Sequence, residues 1–163
     1  MSTDGQQRGG GLTQPEDLAG LSKLGRDSVP ERRLEAFPNR SPGRFYLVSA
    51  ETHEFTCLCP VTGQPDFARI RIDYVPDAKI VESKSLKLYF WSFRNERVFH
   101  EHGTNVFLDD LVAALDPHYI RVVGAFNIRG GIAITTTAEH VKTPAAKDFA
   151  LPLMPRPEIL MPR

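Results

Sequence analysis

Residues 54–67 read E-F-T-C-L-C-P-V-T-G-Q-P-D-F, and this stretch decides how the rest of the chain is interpreted. An apolar strand end runs into a turn that contains Pro60, Gly63 and Pro65, and a second strand begins near Asp66. Proline lacks the N–H that a strand ladder needs, and glycine admits unusual backbone angles, so a straight path is excluded. The stretch therefore predicts two strands joined by a short turn.

The same turn carries two candidate catalytic residues, Cys59 at its start and Asp66 at its end. On a straight strand, residues seven apart would point to opposite faces, but the turn can bring the thiol and the carboxylate to one site. They would then supply a nucleophile and a proton donor. A lone cysteine in an apolar strand is usually a small buried hydrophobic residue, and an aspartate after proline is usually a turn residue. The residue types alone therefore favour structural roles.

The periodicity of apolar residues predicts the elements around this turn. Strand patterns cover 44–50, 54–57 and 66–74, and they return at 119–128 and 131–138, where Arg129-Gly130-Gly131 indicates a hairpin. Helical spacing covers 83–95 and 106–115, the second with Thr104 or Asn105 as its candidate N-cap. The order β-β-α-α-β-β predicts an α+β fold, a four-stranded antiparallel sheet with two helices on one face. Because such a sheet has two open edges, we expect edges to pair between subunits and close several sheets into a barrel.

Length and composition set the limits of this fold. The 163 residues suffice for one domain with a core. We expect a flexible arm at 1–40 with a short helix around 16–24, a single catalytic domain at 41–145, and an extended proline-rich tail at 146–163. Lys+Arg and Asp+Glu both number 20, so net charge does not point to a nucleic-acid partner.

Targeting signals and cysteine usage indicate the compartment. The chain has no apolar run near 18 residues and no apolar signal-peptide core, which predicts a cytoplasmic protein without a membrane partner. Cys57 and Cys59 are two positions apart, about 6.6 Å along a strand and near the upper limit for a disulfide. Reduced thiols are therefore expected.

Three further groups could carry chemistry, and each has a structural alternative. Glu82 precedes a helix start, where it could meet a ligand's N–H groups or simply cap the helix. A helix face carries cations beside an indole, which suits a phosphorylated aromatic cofactor or a solvated surface; its members are Lys84, Lys87, Trp91 and Arg94. His100-Glu101-His102 is a dense polar loop that could equally lie at the surface. Cys57, Cys59, His100 and His102 could form a zinc set, but their spacings differ from common sites.

Taken together, these motifs resemble one family. E-F-T-C-L-C-P-V-T-G-Q-P-D-F, then V-E-S-K-S-L-K-L-Y-F-W-S-F-R-N, F-H-E-H and R-G-G-I occur in the order and spacing of the NADPH-dependent 7-cyano-7-deazaguanine reductases, the nitrile reductases of queuosine biosynthesis. The resemblance covers roughly residues 38–140 and is that of the short, single-domain type. It implies the tunnelling fold and stacked, decamer-like rings with active sites between subunits.

The resemblance also implies roles for single residues. Cys59 matches the nucleophile that forms a covalent thioimide, and Asp66 matches the proton donor. Substrate contacts are implied for two segments, Val81, Glu82 and Ser83 in one and His100 and Glu101 in the other. Lys84 and Lys87 fall where NADPH phosphates are held, and Arg94 shares their helix face. No metal is implied, and Cys57 stands where many members have serine.

The activity implied is reduction of the nitrile of 7-cyano-7-deazaguanine to a primary amine with two NADPH. Thiolate addition would turn a weakly electrophilic nitrile into a thioimide, which splits a difficult step into easier ones. Two alternatives stay open at this point: a zinc-dependent pterin or GTP cyclohydrolase-type enzyme on the same fold, and a non-catalytic ring scaffold.

Overall fold

The structure, a computed structural model, describes residues 28–156. The predicted helix around 16–24 lies outside these residues. In chain order the elements are β1 (Ala36–Pro38), β2 (Val48–Leu58), β3 (Pro65–Val75), β4 (Lys79–Val81), α1 (Ser83–Trp91), α2 (His100–Leu115), β5 (Tyr119–Arg129), β6 (Ile132–Val141), α3 (Pro144–Ala150) and a 3-10 turn (Leu151–Leu153).

The main sheet has four antiparallel strands, as the sequence predicts, and their order in the sheet is β2-β3-β5-β6. The predicted hairpin is confirmed, because Gly130 and Gly131 join β5 to β6 with φ values of 58° and 81° that favour glycine. Strand β2 runs unbroken from Val48 to Leu58, with an irregular register between Thr52 and Phe55. Residues 48–50 of the stretch predicted at 44–50 and the whole stretch 54–57 are therefore parts of one strand, whereas residues 44–47 lie outside it.

Helices α1 and α2 cover one face of this sheet and enclose an aromatic core. Rings in it meet edge to face, and the cluster includes Phe55, Tyr89, Phe90, Phe93, Phe107 and Phe126. The alternation predicted for β3 holds, since Ala68, Ile70 and Ile72 are buried in this core. Burial of each large apolar side chain contributes about 1.5–3 kcal/mol, so this cluster is the main stabilising feature of the fold.

Helix α2 lies very close to β5 because β5 has a glycine at the contact. A Cβ placed on Gly124 would be 2.7 Å from the Thr104 hydroxyl oxygen. Thr104 is fully buried, and its hydroxyl donates to the His100 carbonyl at 3.2 Å. It lies inside the helix, so the predicted cap at Thr104 or Asn105 is wrong: α2 begins at His100, six residues before the predicted start at 106.

The opposite face of the sheet carries a buried ionic network. Asp73 is fully buried and accepts two hydrogen bonds from Arg71, both 2.9 Å long. Arg121 lies 3.4 Å from the same carboxylate and also donates to the Pro155 carbonyl at 2.9 Å. The C-terminal segment therefore covers this face, and Met154 packs with Val75 and Tyr119.

Within residues 28–156, parts of both predicted terminal segments form regular structure. Residues 144–150 form α3 and 151–153 form a 3-10 turn, so an extended tail from 146 is wrong for these residues. Pro144 occupies the first turn of α3, where its missing N–H has no helical partner to lose. Within the predicted arm, β1 pairs with β4. The first helix also ends early, at Trp91 rather than at 95.

Candidate active site

The turn between β2 and β3 is closed by its own backbone. The Cys59 N–H donates to the Gln64 carbonyl at 2.8 Å, and the Gly63 N–H donates to the Cys59 carbonyl at 3.0 Å. Gly63 has φ of 69°, a left-handed conformation that favours glycine. The predicted turn is thus a compact loop that begins at Cys59 and leads directly into β3.

A second segment holds this loop from outside. Leu58 exchanges backbone hydrogen bonds with the chain at Glu96 and Val98, at 2.8 and 3.1 Å. The Arg97 guanidinium donates to the Pro60 carbonyl at 2.9 Å and lies 3.4 Å from the Cys59 carbonyl. The loop backbone is therefore anchored to the connection between α1 and α2.

The Cys59 thiol occupies an environment that favours the thiolate. The Thr62 hydroxyl, the backbone N–H groups of Thr62 and Val61, and the Arg129 guanidinium lower the pKa of this thiol to about 7. Hydrogen-bond donors and a cation stabilise the charged form directly. Because Cys59 is only partly buried, a substrate can approach a thiol that is substantially ionised at neutral pH.

Asp66 is almost entirely buried and lies beside the side chains of Arg129 and His100. Its side chain is 4% exposed, with Oδ1 2.5 Å from Arg129 Nη1 and Oδ2 3.4 Å from His100 Nε2. The Thr56 hydroxyl donates to the Asp66 backbone carbonyl at 3.0 Å. A buried carboxylate is costly unless it is paired, so these contacts explain how the acid is kept inside the fold.

The predicted substrate residues His100 and Glu101 lie in the first turn of α2 and not in a loop. The His100 ring stacks on Phe126 at 3.9 Å between centroids and 7° between planes, which fixes its orientation toward Asp66. Glu101 is exposed. His102, the last member of the polar triplet, packs edge to face on Phe99. His100 thus contacts Asp66, whereas the neighbouring residue Glu101 is exposed to solvent.

The other predicted substrate segment surrounds the start of α1. The Glu82 carboxylate caps this helix by accepting from the N–H groups of Lys84 and Ser85 at 2.8 and 2.7 Å. These backbone N–H groups lower the pKa of Glu82. Val81 is buried and its N–H donates to the Tyr74 hydroxyl at 3.2 Å, whereas Ser83 is exposed. Glu82 therefore caps the helix, and each of its carboxylate oxygens can still accept a second hydrogen bond.

A groove of about 870 Å³ runs between α1 and β2. It has an apolar floor with Ile70, Ile72, Leu86 and Phe90, and a polar rim with Glu51, Glu54, Ser83, Lys87, Trp91 and Arg94. The Arg94 guanidinium carbon lies 5.8 Å from the centre of the Trp91 ring. Of the three predicted cofactor cations, Lys87 and Arg94 border this groove, but Lys84 does not.

The predicted residues therefore fall into two groups in one chain. Cys59, Asp66 and His100 form the first, and the residues from Val81 along α1 form the second. Within residues 28–156, no hydrogen bond or ion pair joins the two groups. Thr56 links them indirectly, because it borders the groove and donates to the Asp66 carbonyl.

The chain is 62% identical over 130 residues to the NADPH-dependent 7-cyano-7-deazaguanine reductase of Syntrophus aciditrophicus. The aligned region covers 80% of this chain and 93% of that relative. It is also 60% identical over 116 residues to the enzyme of the same name from Anaeromyxobacter sp., and this alignment covers 71% of this chain and 95% of that relative. This chain belongs to the NADPH-dependent 7-cyano-7-deazaguanine reductase family. The resemblance stated from the motifs is thereby confirmed.

Two further comparisons agree with this membership. The family described as QueF-like protein matches residues 65–145. The crystal structure of the archaeosine synthase QueF-Like in the apo form has a TM-score of 0.56 and 23% identity, over 60% of this chain and 96% of that one. That similarity concerns the fold, and it supports the tunnelling fold expected for this reductase family.

Arg129 is a residue that the predicted site lacks. It ends β5, and its guanidinium reaches Asp66 and, with Nη2, the Gln64 side chain at 2.7 Å. In the sequence, Arg129 belongs to the R-G-G motif quoted for the reductase family, but there its evident role was to precede a hairpin. No local pattern reveals a contact with a residue 63 positions away.

Two negative observations concern the part of the chain that the structure describes. Between residues 28 and 156, no three His, Cys, Asp or Glu side chains assemble as metal ligands. Over the same range, no helix is long and apolar enough to cross a membrane.

Proposed function

We propose that this protein reduces the nitrile of 7-cyano-7-deazaguanine to the primary amine of 7-aminomethyl-7-deazaguanine, with NADPH as reductant, in queuosine biosynthesis. The single observation that carries the proposal is the Cys59–Asp66 loop in a chain 62% identical over 130 residues to a reductase of that name. The loop offers a thiol with a pKa near 7 beside a buried, ion-paired carboxylate.

The residues of this loop perform the covalent step. The Cys59 sulfur adds to the nitrile carbon, one C–N π bond breaks, and a proton reaches the nitrile nitrogen to give a thioimide. Asp66 is the group that delivers this proton. His100, whose ring is held by Phe126, orients the carboxylate. Glu101 and Glu82 offer carboxylates that accept N–H bonds from the deazaguanine edge.

NADPH fits the groove between α1 and β2. Lys87 and Arg94 form no ion pair with any residue in the described part of the chain, so both are available to phosphate groups. The indole of Trp91 lies on the same rim and can stack on an aromatic ring. When bound, NADPH supplies the hydrides for both reductions. The reduced thiol that this chemistry needs is typical of the cytoplasm, where we place the enzyme.

We also propose that the enzyme acts as a homo-oligomer of stacked, decamer-like rings with sites between subunits. Among the described strands, β2 and β6 are the two edges of the main sheet, and each can pair with another subunit. Assembly of this kind would also bring the Val81–Ser83 segment of one chain to the Cys59 group of another. Native mass spectrometry gives the number of subunits directly.

The covalent step is tested by mixing the full chain with 7-cyano-7-deazaguanine without NADPH. Intact mass should rise by the mass of one nitrile per chain, and a new absorption band should accompany it. Addition of NADPH should then remove the adduct and release the amine. A parent chain that never gains this mass, although it is folded and its thiol is reduced, would contradict the proposed function.

The shared site is tested by mixing two inactive variants. Cys59→Ala lacks the nucleophile, and Glu82→Gln weakens the proposed substrate contact in the other group. If sites lie between subunits, mixed oligomers should regain activity that neither variant has alone. Absence of any recovery, in mixtures shown by native mass spectrometry to exchange subunits, would place both groups in one chain.

The cofactor site is tested through the KM for NADPH. The family resemblance implies phosphate contacts for both Lys84 and Lys87, but Lys87 borders the groove and Lys84 does not. We therefore expect Lys87→Ala to raise the KM for NADPH more than Lys84→Ala does, with little effect on the KM for the nitrile. Equal KM values for NADH and NADPH in the parent enzyme would remove the basis for a phosphate contact.

A further inference from the structure

Arg97 holds the backbone of the reactive loop, although it lies 38 positions after Cys59 in the chain. Its Nη1 donates to the Pro60 carbonyl at 2.9 Å and lies 3.4 Å from the Cys59 carbonyl. Between residues 28 and 156, these two carbonyls are the hydrogen-bond partners of the guanidinium. An exposed arginine thus spends its donors on two consecutive peptide groups beside the nucleophile.

The backbone of Arg97 is itself fixed against the end of β2. The Leu58 N–H donates to the Glu96 carbonyl at 2.8 Å, and the Val98 N–H donates to the Leu58 carbonyl at 3.1 Å. These bonds flank Arg97, so its side chain starts from a fixed point and loses less entropy on reaching the loop. Gly63 leaves room for it, since a Cβ there would lie 3.3 Å from Arg97 Nη2.

The peptide bond between Pro60 and Val61 connects the arginine to the thiol. This bond is trans, so its carbonyl oxygen and its N–H point in opposite directions. The Val61 N–H hydrogen-bonds the Cys59 sulfur, and the Thr62 N–H does the same from the next position. A donor on the Pro60 carbonyl therefore fixes the rotation of this peptide plane, and with it the direction of the Val61 N–H.

We propose that Arg97 is a positioning residue for the covalent step: by binding the Pro60 carbonyl on the side away from the sulfur, it directs the Val61 N–H at the Cys59 sulfur and favours the thiolate. Because Cys59 is taken as the nucleophile, this role rests on the proposed function. Arg97 acts through the loop backbone, so it affects the reaction without contact with the reacting atoms.

Other charged or titratable groups lie around the loop on four elements. Cys57 belongs to β2 and Asp66 to β3, while His100 begins α2 and Arg129 ends β5. Among these, the Arg129 guanidinium hydrogen-bonds the sulfur itself. The hydrogen bonds of Arg97 go to backbone carbonyls instead, so its effect should depend on the direction of donors and not on proximity of charge.

The test is the rate of Cys59 alkylation by iodoacetamide against pH in the full chain, with peptide mapping to separate Cys59 from Cys57. Arg97→Met keeps most of the length of the side chain but has no donor, and Arg97→Lys keeps the charge but cannot span two carbonyls as well. Arg33→Met is the matched control, because Arg33 is exposed and pairs with Glu35. Circular dichroism and thermal melting show whether each variant is folded.

Arg97→Met should raise the midpoint of alkylation from near pH 7 by about one pH unit, because misdirected N–H groups no longer stabilise the thiolate. A less stabilised thiolate is also a stronger nucleophile. The variant should therefore react about threefold more slowly than the parent near pH 6 and about two- to threefold faster near pH 9. Arg97→Lys should move the midpoint by less than half as much, and Arg33→Met should leave it unchanged.

Crossing of the two profiles separates positioning from a merely looser loop, which would change the rate in one direction at every pH. Salt separates donor direction from charge, because about 0.5 M salt screens an exposed charge but does not redirect an N–H. A midpoint in Arg97→Met equal to that of the parent, an equal shift in Arg33→Met, or a shift that disappears at high salt would overturn the proposal.

Adduct formation with 7-cyano-7-deazaguanine extends the test to the substrate. Near pH 6, its rate in Arg97→Met should be about threefold below that of the parent, because the nitrile meets the same thiolate. An unchanged rate there, in a variant whose alkylation midpoint has moved, would remove Arg97 from the covalent step. A parent chain that forms no adduct would instead contradict the proposed function, and the alkylation profiles would still decide whether Arg97 directs the loop.

Discussion

Cys57 and Cys59 are two positions apart in the chain, yet their thiols lie in opposite environments. Cys57 is fully buried in β2, and burial, followed by the charge of Asp66, raises its pKa to about 11. Cys59 lies just past the strand end, where the Thr62 hydroxyl and nearby N–H groups lower its pKa to about 7. One strand end thus separates an inert thiol from an ionised one.

The difference between the two thiol pKa values arises from the direction in which the nearby backbone N–H groups point. Inside β2 the backbone N–H groups lie in the plane of the sheet, so the sulfur of Cys57 receives none of them and is buried in the apolar core near the Asp66 carboxylate. Beyond Leu58 the ladder stops, and the N–H groups of Val61 and Thr62 turn toward the sulfur of Cys59. In this chain, the strand end frees the N–H donors that, together with the Arg129 guanidinium, favour the Cys59 thiolate.

The contrast between Cys57 and Cys59 should appear most strongly in the formation of the covalent adduct with the nitrile. Cys59→Ala should bind the nitrile but show no mass adduct and no turnover, because no thiolate remains to add. Cys57→Ala should keep the adduct and most activity, since its thiol is protonated and buried. Intact mass spectrometry reports both outcomes. An adduct that persists in Cys59→Ala, or that disappears in Cys57→Ala, would reverse the roles of the two cysteines.

The next effect concerns the acid that accompanies the reactive thiol. Asp66→Asn keeps the size and hydrogen bonding of the side chain but cannot transfer a proton. Loss of one general acid typically costs 10²–10⁴-fold, so kcat should fall by about that factor while the nitrile still binds. Steady-state kinetics and equilibrium binding measure the two quantities separately. Turnover within a few-fold of the parent would remove Asp66 from the proton path.

The two pKa values predict selective alkylation across pH. A thiol reacts as its thiolate, so the Cys59 rate should be lost as the pH falls below about 7, and the Cys57 rate should stay low until the pH approaches about 11. At pH 8, about 90% of Cys59 but only about 0.1% of Cys57 would be ionised on this basis. Peptide mapping after brief iodoacetamide treatment distinguishes the sites. Equal labelling of both cysteines at pH 8 in the folded chain would refute the contrast.

The smallest effect isolates one hydroxyl group. The Thr62 oxygen accepts from the Gln64 N–H at 3.3 Å, which leaves its hydrogen available to the Cys59 sulfur. Thr62→Val removes the hydroxyl at nearly constant volume and should raise the midpoint of Cys59 alkylation by about one pH unit. Thr62→Ser should restore the parent midpoint. Identical midpoints in the Val and Ser variants would leave the backbone N–H groups as the main cause.

Much of the fold was predictable because it depends on local periodicity. The apolar alternation of β3 and the glycine pair after β5 indicate elements that the structure contains. The start of α2 was missed because Phe99, its N-cap, makes no side-chain cap bond, and because the first turn is polar and contains Gly103. Helix α3 could have been found, since Pro144 after a threonine is a normal helix start.

The site was predictable to a smaller extent. Cys59 and Asp66 belong to one short motif, so the sequence places them together. Arg129 and His100 approach Asp66 only through the fold, the first from 63 positions away, and such contacts leave no local pattern. The helix-capping role of Glu82 was weighed from its position alone, but its two N–H partners needed the structure.

The reactive loop lies in the β2–β3 hairpin, and we expect this hairpin to form early in folding. Contacts within this hairpin join residues close in sequence and can form early, whereas the Arg129–Asp66 pair closes a long loop and must form late. A nascent chain that has made only the hairpin would hold Cys59 near Asp66 without the guanidinium that covers them. The hairpin alone therefore supplies the donors from Val61 and Thr62 that lower the pKa of Cys59, whereas the contribution of Arg129 to this pKa is added only after β5 has joined the sheet.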